Sequence, residues 1–398
     1  MHLPPDLPPD DRFIKATEHH LRNEFIEAAR IYVDCITSNY QKPESLLYLG
    51  ILYLQNGHID QGRSCVHAAR ELGAQHVEAN VLALESPFAC SHVREASHFS
   101  GSPEPYPKRP KGTVDDWRHC RMLAFTRVFT NSNDTWLTLG DHSGHDALRL
   151  IDNGATNVTP SSLSLEQLSQ GKEIYSFRQI LQLNAENLSL PDRSFDYILC
   201  KEALHHMPRP YLAMYEMLRV ARKAVFIVAE PSDPQIDWRP EDRPLKLTRK
   251  YFNDERIGQC FNYVNPEGEV VSTRFSDWWE SGPLNYVYTF SEREFKKFAQ
   301  GYGLSSFGIG QINDFYDEAW ASEPATDDQE GFKKIQEQIL LHDKLCEVSG
   351  IPKSRVHGLF FKETPSTTTV EALRDEYEIF VTITRTRYLP IRWPMRNH

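Results

Sequence analysis

Two short stretches carry side chains that can accept or hold a proton, and each follows directly after an apolar run. Residues 201–206 (KEALHH) follow FDYILC, and residues 230–233 (EPSD) follow AVFIVA. An imidazole titrates near neutral pH, so either His205 or His206 could take the proton of a hydroxyl group. Only one of two adjacent side chains normally faces a pocket, and we favour His206 as the proton acceptor.

The carboxylates of the same two stretches are candidates for binding and orientation. We expect Glu230 and Asp233 to contact a substrate; the alternative is that they cap a helix or form salt bridges. Glu202 either orients the imidazole or contacts a bound ligand, unless it is an ordinary surface acid. For the histidines, the alternative is that one packs against the ligand and neither moves a proton.

The elements that must position these residues form a strand, a helix and a strand. Both apolar runs are rich in aromatic and β-branched residues, which is typical of parallel strands buried on both faces. Between them, residues 210–220 space their apolar side chains three and four apart, as on one face of a helix. Ligands of open α/β sheets bind beyond the carboxyl ends of the strands, where both polar stretches lie.

The order of these segments resembles a known family. An acidic-apolar segment (NAENLSLPDRSFD), a strand, the EALHH turn, a helix ending in EMLRVARK and a strand ending in AEP are similar to class I S-adenosylmethionine (SAM)-dependent methyltransferases. The similarity is strongest to the type 11 group, in particular to members among bacterial surface-polysaccharide enzymes. It extends over residues 135–365, because NYVYTFSEREFKKFAQGYGL, INDFYD and GLFFKE follow in order. It implies a Rossmann-like, seven-stranded α/β domain with SAM as cofactor.

The turn after the first predicted strand (TWLTLG) departs from the family pattern. The resemblance assigns Gly140, Asp141, His142 and Gly144 to cofactor binding. Glycine is favoured in this turn because the backbone approaches the methionine part of the cofactor closely, where a Cβ would collide. His142 stands where the family usually has a middle glycine.

A second departure lies at the end of the next predicted strand. Ser162 occupies the position at which the family carries a carboxylate that binds both ribose hydroxyls. Without compensation, that loss would weaken binding by on the order of 1.5–3 kcal/mol, or about ten- to a hundredfold in affinity. The sequence therefore allows weak cofactor binding, a compensating residue elsewhere, or a domain that has lost catalysis.

The remaining cofactor candidates match the family better. Asn184, Ala185 and Glu186 correspond to the turn that lies against the adenine, and the alternative is that Asn184 and Glu186 only cap this turn. Lys201, at the end of the strand FDYILC, is assigned to the cofactor as well.

The first 85 residues are helical in pattern and internally repetitive. A step of 34 residues pairs Gly50 with Ala16 and Gly62 with Ala28, which resembles two tetratricopeptide repeats, with residues 74–85 as a capping helix. A solenoid this short buries little surface by itself. It therefore either packs as an accessory bundle, including in self-association, or binds a protein partner.

The other segments are less regular. Residues 86–116 are rich in proline and serine and predict a linker. Residues 235–283 form an insertion with many aromatics, interpreted as a lid over the acceptor or as a small core under a long loop. Residues 366–398 predict a helix and a strand-like tail without an assigned role.

Composition excludes several classes of function. The chain has 398 residues, 40% of them hydrophobic, with 44 basic and 55 acidic residues and a net charge of −11, which disfavours nucleic-acid binding. Its seven scattered cysteines predict reduced thiols, with neither disulfides nor a metal site. The acidic, proline-rich start and the absence of a long uncharged run predict a cytoplasmic protein without a membrane span.

These observations predict two domains: residues 1–85, tetratricopeptide-like, and residues 117–365, a SAM-dependent methyltransferase domain. The expected reaction is methylation of a hydroxyl group, on a saccharide or glycosylated small metabolite by family resemblance. One alternative is a catalytically inactive scaffold that recruits a protein through its repeats, which Ser162 and His142 favour. Another is binding of a different adenosine-containing ligand.

Overall fold

The structure is a computed structural model, and it describes residues 9–22, 24–56, 58–74, 108–163, 165–234, 246–250, 259–279 and 286–383. The chain divides into two compact units, Met1–Ser97 and His98–His398. The expected capping helix at residues 74–85 lies almost entirely outside the described residues, as do most of the predicted linker and the end of the tail. No helix within the described ranges is both long and apolar enough to cross a membrane.

The described part of the first unit consists of helices. They are α1 (Pro9–Leu21), α2 (Phe25–Thr37), α3 (Lys42–Gln55) and α4 (Ile59–Glu71). The bounds of α2 and α4 differ by 34 residues at both ends, which is the predicted repeat length.

Small residues allow the helices of this unit to approach closely. A Cβ at Gly50 would lie 3.0 Å from the main-chain oxygen of Gly62, and a Cβ at Gly62 would lie equally close to the oxygen of Gly50. Ala16 and Ala28, their predicted counterparts one repeat earlier, are fully buried in the core of the first helical pair. The spacing of small residues in the sequence therefore marks the helix contacts of this unit.

The second unit is built on one large sheet. Its strands, in sheet order, are β13 (Phe380–Ile383), β11 (Ser306–Ile312), β12 (Arg355–Phe361), β5 (Ala221–Pro231), β4 (Phe195–Lys201), β1 (Thr135–Leu139), β2 (Asn157–Ser162) and β3 (Leu181–Gln182). The strands from β5 to β3 are parallel to one another, whereas β12 is antiparallel to both of its neighbours. This is the expected Rossmann-like sheet with one strand more than the seven predicted, because the C-terminal tail adds β13.

Helices cover both faces of the sheet. They are α5 (Val114–Leu123), α6 (His145–Asp152), α7 (Glu166–Tyr175), α8 (Pro210–Val220), α9 (Glu292–Tyr302), α10 (Glu330–Ser349) and α11 (Thr367–Tyr377), with 3-10 turns at Ala124–Phe129 and Leu204–His206. Side chains of α8 and α9 share one core with alternate residues of the strands, and those of α5, α6 and α11 share the other. In β1, for example, Leu137 faces the first core and Trp136 the second, which is the two-residue period of a strand buried on both faces.

The described parts of the insertion form small antiparallel sheets. β6 (Lys246–Lys250), β7 (Gln259–Val264) and β8 (Val270–Ser276) make one, and β9 (Trp278–Trp279) and β10 (Tyr286–Val287) make another. Tyr263 is fully buried, packs with Cys346 and Ile351, and donates a hydrogen bond to the main-chain oxygen of Pro234 (3.0 Å). At this position the aromatic residue belongs to a small core.

Candidate functional site

The glycine turn between β1 and α6 meets the turn that follows β4. Gly140 and Gly144 have φ angles of 72° and 74°, which a residue with a Cβ rarely adopts. A Cβ at Gly140 would lie 2.5 Å from the Cβ of Ala203, and one at Gly144 would lie 2.6 Å from the ring of Phe177. A residue with a Cβ at either position would therefore clash with a neighbouring part of the chain. The glycine turn and the turn that follows β4, both predicted from the sequence as parts of the site, therefore lie side by side.

Asp141 uses its carboxylate to hold this turn. The hydroxyl of Thr138 and the main-chain N–H of Ala147 donate to one oxygen (2.9 and 2.8 Å), and the N–H of Asp146 donates to the other (3.1 Å). Burial, followed by the nearby charge of Asp146, raises the pKa of Asp141 to about 6. Asp141 thus caps the start of α6 with its side chain, and it also lines the cavity described next.

A cavity of about 220 Å³ lies over the glycine turn. Charged side chains line it: Nζ of Lys201 lies 2.7 Å from Glu202 and 3.4 Å from Asp146. Burial opposes the charge on Lys201, but the two carboxylates outweigh it and raise its pKa. The cavity therefore presents a fixed cation between two anions.

Glu202 is the centre of this charged group. Its φ of 46° is unusual for a residue with a side chain, and its carboxylate lies 3.2 Å from Nδ1 of His119 and 3.6 Å from Arg355. Burial alone would raise its pKa, but Lys201 and His119 outweigh burial and hold the pKa well below its ordinary value. Glu202 is consequently ionised at neutral pH and does not face the histidine pair as an orienting group.

His119 and Arg355 are functional candidates that the sequence did not indicate. His119 lies on α5, in a segment that precedes the sheet, and Arg355 is the first residue of β12. Neither belongs to a local motif, and only the tertiary structure brings them to Glu202.

Buried ion pairs hold α5 against the cofactor side of the sheet. Asp116 accepts hydrogen bonds from Arg109 (2.8 Å) and from Arg149 of α6 (3.0 Å), and all three side chains are almost fully buried. Arg118 donates to Asp314 (2.9 Å) in a second buried pair. The end of the predicted linker, residues 108–116, is thus packed on this unit, and α5 begins inside the range assigned to the linker.

The cavity suits one end of SAM better than the other. An amino acid group carries both charges, and Lys201 with Asp146 and Glu202 offers a partner for each. Ser162, which the resemblance assigns to the ribose, is buried at the end of β2 and is not among the residues that line this cavity. His142 lines the cavity where a glycine would leave space, and burial lowers its pKa. The volume lies below the roughly 300–1,000 Å³ of common ligand sites.

The segment matched to the adenine side is fixed by its own hydrogen bonds. The N–H of Glu186 donates to the side-chain oxygen of Asn184 (2.9 Å), and the buried carboxylate of Glu186 accepts from the main chain and from Nε of Arg209 (2.7 and 2.9 Å). Ala185 packs against the core beside β1 and β4. Asn184 thus caps this turn, as in the alternative, whereas the carboxylate of Glu186 binds Arg209 at the start of α8.

The histidine pair sits on a short 3-10 turn held by Glu230. Glu230 is fully buried, and its carboxylate accepts from the N–H groups of Ala203, Leu204 and His205 (3.3, 3.1 and 3.0 Å). Its oxygen also lies 2.6 Å from Nδ1 of His205. The ring of His206 lies 4.0 Å from that of His205 and is half-buried. Glu230 therefore lies beneath the turn and not on a surface that a substrate reaches.

Asp233 has a comparable structural position. Its carboxylate accepts from the hydroxyls of Ser276 (2.6 Å) and Thr289 (2.9 Å), and its N–H donates to the oxygen of Phe290. It joins the end of β5 to the insertion and to the approach of α9. Both hydroxyls bind the same oxygen, Oδ2, so Asp233 has a structural contact there, as in the alternative to a substrate contact.

Comparison with known proteins finds one family model that is similar to the central segment. Residues 137–229 match the model of a family described as Methyltransferase domain. Among solved structures, a SAM-dependent methyltransferase from Mesorhizobium loti is 14% identical with a TM-score of 0.38, covering 63% of this chain and 99% of its own. A Burkholderia thailandensis 1,6-didemethyltoxoflavin-N1-methyltransferase, bound to S-adenosylhomocysteine, is 11% identical with a TM-score of 0.35, covering 64% and 80%. No curated protein matches the sequence.

The matched segment runs from the middle of β1 to the end of β5 and contains the glycine turn, the charged cavity and the histidine turn. Residues 137–229 are therefore similar to a methyltransferase domain, which indicates an enzyme that uses SAM as its cofactor.

Proposed function

We propose that this chain methylates a hydroxyl group of a saccharide or of a glycosylated small metabolite, as a cytoplasmic enzyme. Bound SAM supplies an electrophilic methyl group. The hydroxyl preference is supported by the histidine turn, and the saccharide preference by the resemblance to polysaccharide enzymes alone. Lys201, Asp146 and Glu202 would hold the amino acid end of the cofactor, and the backbone of the glycine turn would lie against it.

The contact between His205 and Glu230 is the observation that carries the proposal. A carboxylate 2.6 Å from Nδ1 accepts the proton on that nitrogen, so the lone pair of the neutral ring lies on Nε2. An imidazole fixed in this form is ready to take the proton that an acceptor hydroxyl releases. We therefore assign the proton acceptor to His205 and not to His206, which the sequence favoured.

Substitution of each histidine by glutamine tests this assignment. His205→Gln should lower kcat by about a hundredfold or more while cofactor affinity stays unchanged, because general bases contribute about 10²–10⁴ in rate. His206→Gln is the matched control and should retain most of the rate. The assay is release of S-adenosylhomocysteine with a panel of sugars, and the reverse pattern would return the role to His206.

The second candidate is a non-catalytic scaffold that recruits a protein through tetratricopeptide-like repeats. It is favoured by Ser162, by His142 in the cavity of about 220 Å³, and by the 34-residue offset between helix pairs. Isothermal titration with SAM and with S-adenosylhomocysteine separates the two functions. Micromolar binding supports the enzyme, whereas absent heat together with an unchanged melting temperature supports the scaffold.

A further inference from the structure

A second cavity, of about 490 Å³, lies beyond the carboxyl ends of β4 and β5. Its described walls come from the start of α8, from the loop that precedes α9, and from Asp277 between β8 and β9. This volume falls within the roughly 300–1,000 Å³ that small ligands occupy, and open α/β sheets bind ligands at this edge.

The histidine turn connects this cavity to the first one. Glu202 lines the cofactor cavity, Pro208 lines the second cavity, and the turn Leu204–His206 lies between them along the chain. The N–H of Tyr288, in the wall of the second cavity, donates to the main-chain oxygen of His205 (3.0 Å). A ligand in the second cavity would therefore lie across the histidine turn from the cofactor.

The charge of the described wall is negative. Asp277 and Glu294 both line the cavity, and Arg209 is the cation among the described lining residues. Nε of Arg209 is already paired with the buried carboxylate of Glu186 (2.9 Å), so it does not offset the other two acids. Burial, together with Asp233 and Glu294, raises the pKa of Asp277, and among the described residues no cation pairs with it.

Aromatic side chains complete the wall. The hydroxyl of Tyr211 donates to Glu294 (2.9 Å), and that of Tyr288 donates to the oxygen of Pro208 (3.3 Å), which fixes both rings at the cavity. Tyrosine faces attract cations and also stack on the apolar faces of sugar rings. An anionic ligand would meet two carboxylates and is disfavoured.

We propose that the second cavity binds the methyl acceptor and that this acceptor is a ring carrying an ammonium group, as in an amino sugar. That this ligand is the methyl acceptor rests on the proposed function, whereas the prediction that the cavity binds a cationic ring does not. The ammonium group would offset the charge of Asp277 and Glu294, and the ring would lie against the tyrosines.

The test is calorimetric titration of the full-length chain with D-glucosamine and D-glucose at neutral pH, where most of the amine is protonated and the carboxylates are ionised. The two sugars differ only in the ammonium group at one carbon. Glucosamine should bind about tenfold more tightly, which corresponds to about 1.4 kcal/mol. No cofactor and no turnover are needed, so this result is independent of whether the domain is catalytically active.

Asp277→Asn locates the binding site. Asparagine keeps an oxygen that can accept from the N–H of Thr289 (2.8 Å in the native chain), and it tolerates the φ of 43° at this position, so the fold is preserved. The variant should abolish the preference for glucosamine, whereas Asp327→Asn, an exposed site with the same change of charge, should retain it. The proposal is overturned if glucose binds as well as glucosamine, if neither binds at tens of millimolar, or if Asp277→Asn keeps the preference.

Discussion

His357 should make the sheet of the second unit sensitive to acid. It lies on β12, is 4% exposed, and its Nδ1 accepts a hydrogen bond from the N–H of Ala229 (2.8 Å). Ala229 has a φ of 57°, at the point where the pairing of β5 and β12 shifts register. Burial lowers the pKa of His357 from 6.5 to about 4, because the charged imidazole has no access to water.

The size and sign of the effect follow from linkage. Since the pKa is lower in the folded state, the folded chain favours the neutral ring, and this stability is fully present above pH 6.5. It is lost as the pH falls from 6.5 toward 4, because the unfolded chain takes up the proton first. One pKa unit corresponds to about 1.4 kcal/mol, so about 2 kcal/mol should be lost by about pH 5.

Urea unfolding at neutral pH and at about pH 5, followed by tryptophan fluorescence, measures this loss. His357→Asn keeps an acceptor for the N–H of Ala229 but does not titrate, so the variant should lose about 2 kcal/mol less than the native chain between the two pH values. His67→Asn, at an exposed histidine, should behave like the native chain. An equal loss in the native chain and in His357→Asn would refute the reasoning, since it would mean that His357 takes up its proton equally well when folded.

Two further substitutions test the geometry of the cofactor side. Gly144→Ala should lower stability by about 2–4 kcal/mol in thermal unfolding, because φ is 74° and the new Cβ would lie 2.6 Å from a ring. Gly303→Ala, with a φ of 83° but open space, should cost only about 1 kcal/mol, and equal losses would contradict the clash. Arg118→Ala should cost about 3–5 kcal/mol because it leaves Asp314 buried without its cation. Arg374→Ala, in an exposed pair, should leave stability nearly unchanged, and an equally small effect of Arg118→Ala would refute the role of the buried pair.

The elements around the site could be predicted because their signals are local. The runs FDYILC and AVFIVA became β4 and β5, and the apolar spacing between them became α8. Ser291 and Glu294, three positions apart, form a capping box at the start of α9, which is also a local pattern. Each of these patterns depends on residues within a few positions of one another.

The chemistry of the site depends on contacts between distant residues and could not be predicted in the same way. Glu230 is 25 positions from His205, and nothing near it in the sequence distinguishes a carboxylate beneath a turn from one that faces a substrate. The contacts of Glu202 with His119 and Arg355 depend on how α5 and β12 pack against the end of β4. The sequence indicated which strand ends lie next to one another. It could not indicate which polar side chains at those ends already form hydrogen bonds or ion pairs within the protein.

The eighth strand, β13, changes which main-chain groups are exposed at the outer edge of the sheet. Without the tail, the outer strand would be β11, whose seven residues would offer a long row of unpaired main-chain groups to any extended peptide. The four residues of β13 pair with part of this row. Ile379, the buried residue just before β13, packs against Gly310 of β11, where a Cβ would lie 2.7 Å from the Ile379 side chain. Short outer strands are poor templates for intermolecular pairing. We therefore expect a chain truncated before β13 to aggregate more readily than the full chain, independently of any catalytic activity.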